Sequence, residues 1–204
     1  MMKISLKRFS NDVKIHGDKL SPSSSAAACI NVLGYLNRNS GELIPFFEEF
    51  GLKLDKVVDF PTGANVGGRI YPDKGHILFE WIGPRVSPIN EKGGSRGLCR
   101  TSIDGFFITK QQGKYVQVFV EWKFAEKYNA APKFSRLVGV ERLRRYSLAL
   151  LELKKDFPFD LSNNSTIGLA DFSYEPLNQL LRMTLLAKKT TPISIGGIQL
   201  NPHI

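Results

Sequence analysis

The chain has 204 residues, of which 42% are hydrophobic and 23% are charged; this composition is typical of one folded domain and excludes a fibrous or largely disordered protein. Lys and Arg outnumber Asp and Glu by 28 to 19, so the formal net charge is +9, which favours a polyanionic partner such as nucleic acid or anionic lipid without determining the fold. The two cysteines, Cys29 and Cys99, lie far apart, which excludes a zinc site of the CxxC type.

The first twenty residues are mixed and polar and predict an irregular N-terminal arm. They contain no apolar segment of the kind that a secretory signal needs. No later stretch reaches the roughly 18 consecutive apolar residues of a membrane span. We therefore expect a single domain over residues 1–204, located in the cytoplasm with reduced thiols, and no membrane partner.

Two helices are predicted in the first quarter of the chain. The serine-rich run at 21–25 offers N-caps for a helix over residues 26–37, which is apolar on several faces and should be well buried. A second, shorter helix places four apolar residues on one face and ends at Gly51. These four residues are Leu43, Phe46, Phe47 and Phe50.

Residues 56–60 could form a first, short strand, and three further strands are predicted over residues 77–82, 102–109 and 115–123. The first is followed by a loop at 61–75 rich in Gly, Pro and Asp, and the second by a long loop at 83–100 that contains Gly, Pro and Arg. The last two strands flank a short polar segment that is typical of a hairpin turn.

The second half of the chain is predicted to be mainly helical. A long helix covers residues 134–155, and a turn-rich stretch at 157–164 follows it. A last helix begins near Pro176 and ends at Lys188-Lys189, and residues 190–204 hold one more short strand. The order of elements is α-β-β-β-α-β with a further helix, which indicates an α/β fold in a single domain.

The residues that indicate a chemical function lie in the last two of these strands. Because side chains alternate along a strand, Glu121 and Lys123 project from one face at neighbouring positions. Val120 and Trp122 project from the other face. The acid and the lysine are therefore neighbours whatever the rest of the fold is.

The position of Asp104 depends on the turn between the two strands. If Gln112-Gly113 forms a two-residue loop, Gln111 pairs with Lys114. In that register Asp104 lies directly opposite Glu121 on the same face. A three-residue loop would turn Asp104 to the opposite face, since a shift of one residue reverses every side chain of a strand.

Two carboxylates a few ångströms apart repel each other unless a cation lies between them. Mg²⁺ suits such a pair because it prefers oxygen ligands and retains several waters. The metal can activate a water and stabilise the charge that develops on a phosphate, and a lysine such as Lys123 can orient or deprotonate that water. The pattern therefore predicts metal-assisted hydrolysis of a phosphodiester.

The alternative is that Glu121 and Lys123 form an ordinary solvated pair on a strand, worth under about 1 kcal/mol. An apolar setting argues against that interpretation, because it is a poor place for a merely solvated cluster of charges. The apolar neighbours in sequence are Phe106, Phe107, Phe119, Trp122 and Phe124.

Asp104 and the Glu121-Trp122-Lys123 segment resemble the signature of the PD-(D/E)XK nucleases, with Ile103 where that signature often has Pro. Further segments resemble one bacterial branch of this superfamily, which is described as restriction endonucleases. They are 23–34, 78–81, 101–107, 120–128 and 174–182. The resemblance extends over about residues 23–189 and implies a restriction-endonuclease-like core, in which helices flank a central mixed β-sheet.

The resemblance also implies roles for individual residues. It carries Mg²⁺ binding, with Mn²⁺ as a substitute, onto Asp104 and Glu121, and the catalytic lysine onto Lys123. It suggests Glu80 as an additional acid, since members of the superfamily often draw one from an upstream helix or strand. A structural ion pair is the alternative role for Glu80. The helix glutamates Glu42, Glu48 and Glu49 are alternative acids, and each is expected to lie on the surface rather than in the site. Gln179 matches a polar helix position that some related nucleases use near the site.

Basic residues in two regions are candidate contacts to a nucleic-acid backbone. They are Arg96, Arg100, Arg136, Arg142 and Arg145. The first two lie in or beside the 83–100 loop, which could close over a substrate. The other three belong to a segment, 133–155, with seven basic and two acidic residues. Phosphate contacts there would make binding strongly salt-dependent; a solvated helix face is the equally weighted alternative.

We expect a Mg²⁺-dependent nuclease that hydrolyses phosphodiester bonds of nucleic acid, and of DNA in particular. The first alternative is a catalytically inactive module of the same fold that binds nucleic acid within a larger defence or repair assembly. The second is an interaction domain that binds no nucleic acid and whose positive charge is incidental. By analogy with superfamily members that cut both strands of a duplex with two copies of the site, a homodimer is a further expectation.

Overall fold

The computed structural model describes residues 25–93, 99–123, 127–128, 131–134, 137–152 and 170–190, together with the secondary structure of 193–195 and 198–200. The predicted N-terminal arm and the predicted turn-rich stretch at 157–164 lie outside these residues. No helix in the described part of the chain is long and apolar enough to cross a membrane.

The predicted helices are present with small shifts at their ends. They are α1 (Ser25–Arg38), α2 (Leu43–Glu48), α3 (Leu137–Glu152) and α4 (Leu177–Lys189), with short 3₁₀ turns at Ser40–Glu42 and Asp171–Ser173. Helix α3 begins later than predicted, because Phe134 lies in a turn. Helix α4 begins directly after Pro176, whose fixed φ suits the start of a helix.

The principal sheet is built around one long strand. The strands of the chain are β1 (Lys56–Val57), β2 (Ala64–Val66), β3 (Arg69–Tyr71), β4 (Ile77–Trp81), β5 (Ile103–Gln111), β6 (Lys114–Val120), β7 (Ile193–Ile195) and β8 (Ile198–Leu200). Strand β5 pairs with β6 along one edge and with both β4 and β1 along the other. Every pairing in this sheet therefore involves β5, and the positions of the other three strands are defined relative to it.

Every described pairing in this sheet is antiparallel, so the prediction of a mixed sheet was wrong for the described strands. The physical reason lies in the connections. A parallel neighbour needs a crossover, usually a helix, whereas β5 and β6 are joined by a two-residue turn. The described residues between β4 and β5 form no helix either.

The hairpin between β5 and β6 has the predicted register, with Gln111 paired to Lys114. Both central residues of the turn have positive φ, +50° at Gln112 and +78° at Gly113. That conformation belongs to a type I′ turn, whose twist matches that of the flanking strands. The two-residue loop on which the position of Asp104 depends is therefore confirmed.

The two faces of the sheet contribute to two hydrophobic cores, because neighbouring residues of a strand point to opposite sides. Phe107 packs with the apolar residues of α1 and α2. Phe106 packs on the other side, with residues of α3 and α4 and with the fully buried Trp81. The rings of Trp81 and Phe106 are stacked with centroids 4.4 Å apart. The sheet thus lies between two helical layers, an α/β sandwich.

Two further hairpins correct the sequence predictions. Residues 61–75, predicted as loop, contain the pair β2–β3, and the closing segment contains the pair β7–β8 where one strand was predicted. Strands of three residues are too short for an alternation pattern to be recognised. The turn between β2 and β3 is Gly67-Gly68, both with positive φ, and Gly-Gly is a recognised hairpin signal.

Candidate functional site

Asp104 and Glu121 meet where β5 begins and β6 has just ended. The last paired residues of the two strands are Gly105 and Val120, and the same register continued by one residue sets Asp104 opposite Glu121. Lys123 follows two residues later. The three residues that the sequence singled out are therefore gathered at one end of the sheet by the predicted turn.

The peptide of Trp122, between the acid and the lysine, is held from both sides. Its N–H donates to Asp104 Oδ2 at 2.7 Å, and its carbonyl oxygen accepts from Ser25 Oγ at 2.7 Å. Since β6 ends at Val120, these two bonds replace the strand pairing that would otherwise hold the segment. The contribution of Ser25 was not predicted, because a serine at the start of a helix is read as a cap.

One oxygen of the Glu121 carboxylate contacts two donor groups, and the other has no hydrogen-bond partner in the described part of the chain. Oε1 lies 2.5 Å from Lys123 Nζ and also accepts from Gln179 Nε2 of α4. Oε2 is buried and has no hydrogen-bond partner among the described residues. A buried carboxylate oxygen without a partner carries a desolvation cost, so this atom is a candidate ligand for a cation.

Electrostatics at Glu121 indicate a site with surplus negative charge. Burial, together with the negative charges of Asp104 and Glu80, raises the pKa of Glu121 to about 7. The ammonium of Lys123 acts in the opposite direction but does not cancel the effect. A cation placed between the carboxylates would remove this repulsion.

Glu80 has a left-handed backbone, with φ +49°, which is uncommon for a non-glycine residue. It lies between the paired residues Phe79 and Trp81, whose partners in β5 flank Asp104. One of its oxygens accepts from Ser102 Oγ at 2.6 Å. No lysine or arginine of the described residues pairs with it, and strained backbone of this kind clusters at functional sites.

The thiol of Cys29, on α1 in the other helical layer, is affected by the charges of the same carboxylates. Burial raises the pKa of the Cys29 thiol, and the charges of Asp104, Glu80 and Glu121 raise it further. Three carboxylates therefore act on one buried thiol. The sequence predicted Cys29 to be buried in α1 but showed nothing that places it beside these acids.

The arrangement of the carboxylates suits a metal ion that keeps most of its bound waters better than one whose ligands all come from the protein. In the described part of the chain, no three His, Cys, Asp or Glu side chains gather as a group that could hold a metal ion by themselves. Mg²⁺ is commonly held by one or two carboxylates, with waters and substrate oxygens as the other ligands. Asp104 and the unpartnered oxygen of Glu121 meet that smaller requirement.

Helix α4 closes the site on the side of Gln179. The backbone N–H of Gln179 donates to Glu175 Oε2 at 3.1 Å, and Lys133 Nζ lies 3.9 Å from the other oxygen of Glu175. The first turn of α4 and the 131–134 segment are thereby joined beside Glu121. Lys133 is one of the seven basic residues of the 133–155 segment, whereas no sequence pattern indicates a role for Glu175.

The predicted basic residues do not all meet at the carboxylates. Arg96 and Arg136 lie outside the described residues. Arg100 donates to the backbone oxygens of residues 84 and 85 at 3.0 and 2.8 Å, and burial and nearby Arg69 lower its pKa. Arg142 and Arg145 lie on α3, where Arg145 pairs with Glu141 at 3.7 Å.

A buried glutamate that the sequence did not single out fixes the segment leading into β5. Glu91 accepts from the backbone N–H of Thr101 at 2.8 Å and from its hydroxyl at 2.6 Å. It also accepts from the Tyr146 hydroxyl of α3 at 3.0 Å. The chain just before Asp104 is therefore anchored to α3 through one carboxylate.

A family model described as "Restriction Endonuclease associating with ARP" matches residues 3–199. No curated protein and no solved structure matches the chain. The family match covers nearly all of the 204 residues, and it includes every residue of the site described above. The chain therefore belongs to the family of restriction endonucleases associating with ARP.

Proposed function

We propose that this chain is a Mg²⁺-dependent nuclease of the PD-(D/E)XK type that hydrolyses phosphodiester bonds in DNA. Membership of a restriction-endonuclease family supports a nuclease role. The observation that carries the finer assignment is the convergence of Asp104, Glu121 and Lys123 at one end of the sheet, with an unpartnered carboxylate oxygen on Glu121.

Asp104 and Glu121 would hold the metal, and Glu80 would be an additional acid beside them that adds negative charge to the site. Their hard oxygen atoms suit Mg²⁺ or Mn²⁺. The raised pKa of Glu121 reflects burial first and then repulsion from Asp104, and a bound cation would offset both effects. When bound, the metal would supply Lewis-acid stabilisation of the phosphate and a more acidic water.

Lys123 and Gln179 act on the same carboxylate and have different roles. The ammonium of Lys123, which contacts Glu121, would orient the attacking water and neutralise charge on the phosphate. The amide of Gln179, which donates to the same oxygen, keeps Glu121 in place. Because Gln179 is on α4, the position of this helix determines the orientation of the carboxylate.

The net charge of +9 supports a polyanionic substrate such as DNA. We propose that Arg96, Arg136 and Arg142 contribute contacts to the phosphates of DNA, and that Arg145, which is largely covered and paired with Glu141, contributes through its charge. Such contacts release counterions, so binding should weaken steeply as the salt concentration rises. Arg100 has its guanidinium committed to two backbone oxygens, so it would act mainly by shaping the loop before β5.

The alternative is a nuclease fold that binds nucleic acid without cutting it. Two observations favour it: Glu121 Oε1 is already occupied by Lys123 and Gln179, and the described acids do not form a three-ligand metal site. The family description, which names an association with ARP, is consistent with a role in a larger assembly.

Cleavage assays separate these functions. Supercoiled plasmid and single-stranded DNA are incubated with the protein in Mg²⁺, in Mn²⁺ and in chelator, beside Glu121→Ala, Lys123→Ala and the exposed control Glu49→Ala. The proposal predicts metal-dependent cutting that both site variants lose and the control retains. Salt-sensitive binding without cutting supports the alternative, and cutting that survives both site substitutions contradicts the assignment of these residues.

A further inference from the structure

Helix α3 has an apolar stripe that faces away from the protein. Leu137, Val140, Leu148 and Leu151 are 90%, 58%, 60% and 71% exposed. At 3.6 residues per turn these four positions fall on one side of the helix, and Glu141 and Arg144 lie among them, both exposed. We call these six residues the α3 stripe.

The α3 stripe is separate from the face by which α3 joins the core. Tyr146, Ala149 and Leu150 are buried in the core on the opposite side of the helix. An isolated exposed leucine needs no explanation, but a continuous row along a helix is typical of a surface that binds a partner. Helix α3 is thus apolar on two opposite sides, and the described core covers one of them.

The charges of the α3 stripe do not suit a nucleic-acid backbone. Arg144 is the exposed cation within it, and Glu141 and Glu152 are exposed acids on the same side. Glu152 is paired with Lys189 of α4. Arg145 is largely covered and is paired with Glu141. Phosphates would meet roughly balanced charge and four large apolar side chains here, so an apolar protein surface is the better match.

The order of residues makes the α3 stripe complementary to itself. A two-fold axis perpendicular to α3, midway between Glu141 and Arg144, would pair two copies of the helix in antiparallel fashion. In that arrangement Glu141 of each copy faces Arg144 of the other, and Leu137 of each copy faces Leu148 of the other. Such an interface is isologous, with the same patch used twice.

We propose that the α3 stripe is the contact between two copies of this chain, packed as an antiparallel pair of α3 helices with two reciprocal Glu141–Arg144 contacts. Helices in such a pair approach to about 8–10 Å, which brings Leu137 of each copy into contact with Leu148 of the other and excludes water from them. The proposal concerns assembly alone and does not depend on the nuclease activity.

Charge reversal tests both the surface and the register. Glu141→Arg would set two arginines against each other at each contact, and Arg144→Glu would set two glutamates. Each variant alone should dimerise at least about tenfold more weakly than the wild-type chain. A mixture of the two variants should form a heterodimer, because every contact then joins opposite charges. The double variant carrying both changes should also dimerise again.

Sedimentation velocity of the full chain, from about 1 to about 100 µM, is the measurement. Glu49→Arg, an exposed acid on the far side of the sheet, is the control for the charge change, and circular dichroism checks that each variant is folded. Restored association in the mixture supports the proposal. A wild-type chain that stays monomeric overturns the proposal, and the α3 stripe would then be a candidate contact for a different protein. Dimerisation that neither reversal weakens also overturns it, since the dimer would then use another surface.

Discussion

Asp104 accepts the backbone N–H of Trp122 at 2.7 Å, so the first acid of the candidate site positions the chain segment that carries the second acid and the lysine. Strand pairing ends at Val120, and the sheet itself therefore does not fix Glu121 or Lys123. Positioning depends instead on a few side-chain contacts from neighbouring elements.

The raised pKa of Glu121 predicts a stability that falls as pH increases. The folded pKa of about 7 lies above the ordinary value of 4.5, so between these values the folded protein binds more protons than the unfolded chain. The wild-type protein therefore loses free energy of unfolding as Glu121 ionises. Glu121→Gln has no such ionisation, so its free energy of unfolding minus that of the wild type should rise by on the order of 1–3 kcal/mol from about pH 5 to about pH 8.

Urea unfolding in chelator at several pH values measures this difference. Glu49→Gln, which changes an exposed carboxyl at the end of α2, is the control and should follow the wild-type curve. If the Glu121→Gln and wild-type curves ran parallel across the range, the carboxyl would titrate alike in the folded and unfolded chain, and the account of its environment would be wrong.

The hydrogen bond from Ser25 to the Trp122 carbonyl predicts a positioning role for the start of α1. Ser25→Ala should reduce the free energy of unfolding by about 0.5–1.5 kcal/mol. It should slow DNA cleavage by about tenfold, because a small displacement of the site is costly. Ser25→Thr retains the hydroxyl and should restore both quantities.

Cleavage rates and urea unfolding are measured together for these variants, with Ser40→Ala, an exposed serine in a 3₁₀ turn, as the control. A purely structural role for Ser25 would lower stability and leave the cleavage rate of the folded protein unchanged. That outcome would remove Ser25 from the site.

Gly105 permits the close approach of α1 to the sheet. A Cβ at this position would lie 2.6 Å from Leu33 Cδ1, so Gly105→Ala should destabilise the protein by about 1–3 kcal/mol through overpacking. The same change in a Leu33→Ala background should cost much less, because the obstructing methyl group is gone. Gly41→Ala, where the added Cβ meets nothing, is the control; equal costs in both backgrounds would contradict the contact.

The two cysteines should differ strongly in reactivity. Cys29 is buried beside the carboxylates, and both effects disfavour its thiolate, whereas Cys99 is exposed. Titration with a thiol reagent should therefore modify Cys99 quickly and Cys29 at least about 100-fold more slowly. Addition of denaturant should make both react. A single fast phase for two thiols in the folded protein would show that Cys29 is not shielded.

The part of the site that could be predicted from the sequence depends on local geometry. The alternation expected over residues 115–123 predicts Glu121 beside Lys123, and the two do lie in contact although β6 ends at Val120. A two-residue turn at Gln112-Gly113 sets Asp104 opposite Glu121. These relations involve residues close in sequence, so strand period and turn chemistry are sufficient. The main helices and the core strands could be predicted from the sequence for the same reason.

The remaining features depend on contacts between residues far apart in the chain. Ser25 and Trp122 are separated by 97 positions, and Glu91 and Tyr146 by 55, so no local pattern relates them. The left-handed backbone at Glu80 also contradicts the regular strand that its apolar neighbours predict. Propensity and period do not encode such tertiary contacts or strain.

The most direct test of the proposed metal site is to measure binding of a divalent cation to the protein without DNA. Mn²⁺ is titrated into the wild-type chain while the paramagnetic resonance signal of the free ion is recorded, and Mg²⁺ is then added as a competitor. A metal site at Asp104 and Glu121 predicts Mn²⁺ binding that Mg²⁺ displaces. Asp104→Asn and Glu121→Gln should each weaken it at least about tenfold, while Lys123→Met, which removes a positive charge beside the carboxylates, should not. Absence of binding, or binding that both carboxylate variants retain, would contradict a metal site at these residues.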